Sequence, residues 1–166
     1  GQRDVARFNF VYEEGLQDFS EGKWDAAIAK LQKSEGLLAA ARAAGGAQEI
    51  SRAIIKRKIL SATVNRGEVA VAAHVAEEKY SQVVGELQAI ITAIDRNQLG
   101  TDKEFAPVRK SAAARIGRYR FLADIQQKFA YLLSRYEVIF KEFFPSSARS
   151  KLSDPQITFV RQEGNL

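Results

Sequence analysis

No proline interrupts the chain before Pro107, and only Pro145 and Pro155 follow it. Proline removes a backbone donor and clashes with the preceding helical turn, so a run this long without it leaves the backbone free to be helical. Alanine, the best intrinsic helix former, is frequent in the same run. Apolar residues recur along it at spacings of three and four, the rhythm of one helix face. The expected fold class is all-α. The 166 residues suffice for one domain with a sizeable core, and a hydrophobic share of 46% argues against disorder throughout. No apolar run reaches the roughly 18 residues that a membrane span needs.

The first helix is expected over Asp4–Phe19, with Val5, Phe8, Val11 or Tyr12, Gly15 and Phe19 along its inner face and Asp4 favouring its start. Gly22-Lys23-Trp24 reads as a tight turn. A second helix then carries Ala27, Ile28, Leu31, Ser34 and Leu38 inward and stops at Gly45-Gly46. Glycine inside a helix costs about 1 kcal/mol relative to alanine, so Gly15 suggests close approach of a second helix. Trp24, at the turn, is expected to wedge between the two helices and bury apolar area there.

The stretch Val11–Leu38 resembles a tetratricopeptide repeat. In that family a small residue of one helix faces a small residue of the next across a Gly-x-aromatic turn. Gly15, Phe19, Gly22, Trp24, Ala27 and Leu31 fall at the family's positions, with about one repeat length covered (residues 8–41). Ser34 stands where the family usually has alanine, and no proline closes the unit. A degenerate second match covers residues 64–97. There Tyr80 corresponds to Trp24, Val83 to Ala27 and Leu87 to Leu31, whereas Glu78 replaces the turn glycine and Val71 replaces Gly15. The resemblance implies antiparallel helical hairpins that bind a partner protein along the first helix of each pair. It puts Asn9, Tyr12, Glu13 and Leu16 near that face.

A third helix is expected from Ala47, with Ile50, Ile54, Ile55, Ile59, Leu60 and Val64 inward. It either breaks at Gly67 or runs on through Val75 as a helix of about 30 residues, and continuation is favoured because Gly67 has no turn-forming neighbour. A fourth helix follows over Tyr80–Arg96, with Val83, Val84, Leu87, Ile90, Ile91 and Ile94 inward, then a loop around Gly100. The fifth opens near Pro107, a residue suited to a first helical turn, and keeps helical spacing to Phe143. It reads as one helix of about 35 residues or as two with a kink near Gly117. As a closing helix it would cover the last exposed face of the array. It carries more aromatics than a core stripe requires, among them Phe121, Phe129, Tyr131, Tyr136, Phe140, Phe143 and Phe144, so a contact surface is expected there. Residues 1–145 are read as one helical-repeat domain, ended by Pro145. Residues 146–166 are read as a polar tail, in which residues 157–160 can dock as a short extended piece.

The chemistry-bearing residues are sparse. There is no cysteine, hence no disulfide framework and no thiol nucleophile. His74 is the sole histidine, and no HExxH is present, so no metal site is expected. Glu13-Glu14 and Glu77-Glu78 are the closest carboxylate pairs, but adjacent helical residues point about 100° apart and do not face each other. Gly45-Gly46 lacks the lysine and the preceding strand of a phosphate loop. No catalytic residue and no cofactor is expected, and the chain reads as a non-enzyme.

Net charge is +5, and cations without acids cluster in two places. Arg52, Lys56, Arg57, Lys58 and Arg66 lie in the third helix, and Arg109, Lys110, Arg115, Arg118 and Arg120 open the fifth. Arg52 and Lys56, with Arg66 a further candidate, can share one helix face and Arg115 with Arg118 another, and if the two helices are neighbours they offer one basic strip to nucleic acid or an anionic membrane. The plain alternative is a solvated face whose charges pair with acids elsewhere. The leading expectation is a non-catalytic scaffold or adaptor for a protein partner, with self-association through the aromatic last helix equally open. The missing cysteines fit a periplasmic or other extracytoplasmic setting, though cytosolic domains also lack them. The sequence has no methionine, so a removed signal peptide or excision from a longer chain would explain its first residue.

Overall fold

The computed structural model describes residues 1–143, and every element among them is helical: α1 (Gln2–Ser20), α2 (Trp24–Ala43), α3 (Arg52–Ala76), α4 (Tyr80–Arg96) and α5 (Phe105–Phe143). The expected end of the last helix at Pro145, the aromatic Phe144 and the tail from 146 on lie outside the described residues. The chain divides into two units, Gly1–Ile116 and Gly117–Leu166.

In the first unit, α1 packs on α2, α2 on α3, and α3 on α4. Phe8, Leu31, Leu38, Ala41 and Ile55 form a buried cluster. Tyr12, Leu16, Leu37 and Ile59 lean on it, and so do Ala47 and Ile50 from the α2–α3 connection. Each fully buried leucine, isoleucine or phenylalanine here contributes about 1.5–3 kcal/mol relative to exposure. Val83, Leu87, Ile90 and Ile94 line the inner face of α4, as its spacing predicts.

The turns explain why the hairpins close. After α1, the Lys23 N–H donates to the Asp18 carbonyl at 2.9 Å and the Gly22 N–H to that of Phe19 at 3.1 Å. After α3, the Lys79 N–H donates to His74 at 2.9 Å and the Glu78 N–H to Val75 at 3.0 Å. This is the Schellman arrangement, which satisfies carbonyls that a helix end leaves without partners. It needs a left-handed residue, supplied by Gly22 (φ 73°) in one case and by Glu78 (φ 56°) in the other. Two turns with different residues therefore share one geometry. Gly45 and Gln98 close α2 and α4 in the same way.

Several boundaries differ from the sequence expectation. Helix α1 starts at Gln2, ahead of Asp4, because the Asp4 carboxylate takes the terminal ammonium of Gly1 at 2.9 Å. Helix α3 starts at Arg52 rather than Ala47. Ala47 is left-handed (φ 54°), and Ser51 caps the helix by accepting the Ile54 N–H at 3.1 Å. The helix does pass through Gly67, with 25 residues in place of about 30. Ile54, read as inward, is 47% exposed. Helix α5 opens two residues before Pro107, since the Asp102 side chain accepts the N–H groups of Glu104 and Phe105.

Helix α5 is continuous over 39 residues. Phe105, Ala112 and Ile116 are buried in the first unit, but the rest of the expected stripe is not core. Phe129, Leu132, Tyr136, Ile139 and Phe143 are exposed. The described part of the second unit is helix alone, and a single helix buries little of its own surface.

Candidate functional site

The residues expected to meet a partner lie along α1. Asn9 and Glu13 are exposed, while Tyr12 and Leu16 are half-buried against the core cluster. The Tyr12 ring stacks on Phe8, with centroids 5.5 Å apart and planes 11° from parallel. Burial pushes the Tyr12 phenol above its ordinary pKa, so it stays a neutral donor and acceptor. Asn9 and Glu13 lie one turn apart, as do Tyr12 and Leu16, so a polar edge of α1 borders an aromatic anchor set in the core.

The neighbouring acids of α1 are partly neutralised. Asp18 is buried and meets the Lys30 ammonium at 2.7 Å, with Glu14 3.6 Å from the same nitrogen. These residues brace α1 against α2.

Five of the ten cations in the two clusters have acidic partners. Arg52 meets Glu35 at 2.5 Å and Arg66 meets Asp25 at 2.9 Å, both across to α2. Arg57 grips Asp102 with two nitrogens and Glu104 with one. Arg109 pairs with Asp95 and Arg115 with Glu68, each through two hydrogen bonds. Lys58 lies over the Phe19 ring, 4.4 Å from its centroid. Lys56 and Arg118 are exposed, and the Arg118 guanidinium sits 6.0 Å from the Tyr119 ring centroid. Paired cations present little net field, so this surface offers much less positive charge than the residue count implies.

The Arg57–Asp102 clamp escaped the sequence reading. Its one legible signal was an aspartate three residues ahead of Phe105, a helix-start pattern. The Arg57 guanidinium, followed by the Glu104 backbone N–H, holds the Asp102 carboxyl down to about 2. The clamp also places Arg57 over the Phe105 ring at 5.3 Å.

Trp24 meets Phe19 edge-on, with centroids 5.3 Å apart. It is half-buried and also lines a shallow hollow of about 430 Å³ with Gly22, Lys23, Asp25, Ala26, Arg66 and Val69. His74 Nε2 lies 3.9 Å from a Glu86 oxygen. Among the described residues no group of three or more His, Asp or Glu side chains is placed to hold a metal, and no helix is long and apolar enough to cross a membrane.

Among the described residues most of the exposed large apolar side chains lie on the outer part of α5. Leu122, Ile125, Phe129, Leu132, Tyr136, Ile139 and Phe143 follow one another at alternate steps of three and four. That alternation is stricter than the loose helical stripe that a closing helix needs. No known protein family, curated protein or solved structure matches the chain.

Proposed function

We propose that the chain is a non-catalytic interaction scaffold of tetratricopeptide-like type, which docks a partner protein on the α1 face around Tyr12. The observation that carries this reading is the recurrence of one hairpin turn, at Gly22-Lys23-Trp24 and again at Glu78-Lys79-Tyr80, in helices that pack chiefly on their chain neighbours. Such serial packing leaves an edge of each pair free to meet another chain. Asn9 and Glu13 supply polar selectivity there, and Tyr12 supplies a rigid, amphipathic anchor of the kind that dominates interfaces.

A photo-crosslinking residue at Tyr12, with a control at the exposed Gln88 of α4, tests the reading in cells. A protein joined at position 12 and absent at 88 is the expected result. Identical adducts at both positions, or none at 12, refute it. Salt separates this reading from binding to a polyanion. A groove contact holds between about 50 and 200 mM salt, whereas phosphate binding through several cations falls by orders of magnitude.

A further inference from the structure

Between Leu122 and Phe143, α5 repeats apolar residues strictly every three and four, which gives three heptads. A helix that keeps this 3.5-residue period presents a seam that another helix can follow only by supercoiling around it. Five of the seam residues are exposed, Phe143 by 72%. The opposite side carries Gln127, Ser134 and Lys141, while Tyr131 and Val138 stand exposed off the seam. Soluble chains rarely leave a continuous apolar strip of this length uncovered.

We propose that two copies of the chain associate through this seam as an antiparallel coiled coil. The seam's own composition selects the orientation. From Ile125 on, its first set of positions is aromatic (Phe129, Tyr136, Phe143) and its second is aliphatic (Ile125, Leu132, Ile139), while Leu122 precedes these layers. A parallel pair sets like against like, stacking bulky layers on thin ones. An antiparallel pair sets Phe129 against Ile139 of the second copy, Tyr136 against Leu132 and Phe143 against Ile125. Every layer then holds one large and one medium side chain, which packs to even density.

The flanking charges agree. In that register Lys128, which meets Asp124 of its own helix at 2.8 Å, lies beside Glu142 of the second copy as well, and the symmetry makes the pair twice. Arg135 meets its own copy at the axis, a like-charge contact that the two ion pairs flank. In a parallel pair Lys128 and Arg135 would face Leu133 and Phe140, with no acid. The seam lies wholly in the second unit, so the proposal stands apart from the scaffold reading of α1.

The full chain tests it. Light scattering should show a concentration-dependent dimer, and Leu132→Lys should leave a monomer with unchanged helix content. Lys128→Glu should weaken the dimer about tenfold by turning two attractions into repulsions, and Lys128→Glu with Glu142→Lys should restore it. Because the chain has no cysteine, single Lys128→Cys and Glu142→Cys variants report the orientation directly. Mixed, they should form the disulfide between variants. Disulfides of each variant with itself overturn the antiparallel pairing. A monomer at every concentration overturns the proposal altogether and gives the seam to residues 144–166 of the same chain or to a different protein.

Discussion

Gly67 lies so close to Ile90 that a methyl group on its Cα would stand 2.8 Å from the Ile90 Cγ1 and 3.0 Å from its Cδ1. Ile90 is itself buried, so it has no room to swing aside. The glycine therefore lets α3 and α4 approach closely at this point. In the first hairpin that role falls to Gly15, where a Cβ would sit 3.1 Å from the Leu31 Cγ and 3.3 Å from its backbone nitrogen. Val71 and Leu87 occupy the positions that correspond to Gly15 and Leu31. The small residue thus stands one helical turn closer to the N-terminus in the second hairpin, where it faces Ile90 in place of a leucine.

Gly67→Ala should destabilise the protein by about 1 kcal/mol. Alanine gains about 1 kcal/mol in helix propensity, but overpacking a filled site costs about 1–3 kcal/mol. Urea denaturation measures the difference. In an Ile90→Ala background the clash is gone and the same substitution should stabilise. An equal loss in both backgrounds would mean that the Gly67–Ile90 contact is not the cause.

Gln98→Gly should stabilise by about 0.5–1 kcal/mol. Gln98 holds φ 56°, a conformation costing a side-chain-bearing residue about 1–2 kcal/mol, against which glycine adds about 0.4–1 kcal/mol of unfolded-state entropy. Gly22→Ala, at φ 73°, should shift stability the other way by about 1 kcal/mol. Thermal melts of the two variants should move in opposite directions, and movement in the same direction would contradict the turn analysis.

Ser34→Ala should change stability by less than about 0.5 kcal/mol. Ser34 is fully buried, and its hydroxyl donates to the Leu31 carbonyl of its own helix at 2.7 Å. That carbonyl belongs to a continuous helix, so removing the hydroxyl strands no partner. A loss above about 2 kcal/mol in chemical denaturation would show that the hydroxyl does more than cap its own turn.

Asp102→Asn should lower the melting temperature at neutral pH and lose that disadvantage in acid. The folded carboxyl titrates near 2, below its ordinary 3.8, because Arg57 favours the charged form. Its stabilisation is thus complete above 3.8 and disappears as pH falls through about 2. Melting temperatures of the two proteins, measured stepwise over that range, should converge. Parallel curves would separate the clamp from the acid response.

Much of the fold was legible. The bounds of α4, the inner residues of α2 and α4, and the passage of α3 through Gly67 all follow from period and from the lack of a turn-forming neighbour. Boundaries set by single side chains were harder. Ser51 and Asp102 begin α3 and α5 because their oxygens reach specific N–H groups, and Ala47 interrupts because its backbone is left-handed. Of the candidate α1 face, Asn9 and Glu13 stand exposed, and Tyr12 and Leu16 lean on the core. That the cations could pair with acids was open from the sequence, but not with which ones, since residue counts carry no information about which acids the fold brings alongside.

The sequence by itself determined the helical state, the hairpin turns and the 3.5-residue seam of α5, because propensity, chain reversal and side-chain period are local properties. Only the tertiary structure decided that Arg57, Arg66, Arg109 and Arg115 meet acids, and that close helix approach in the second hairpin sits at Gly67 rather than at residue 71. Ion pairs and interhelical contacts join residues far apart in the chain, and their geometry exists only once the helices have packed.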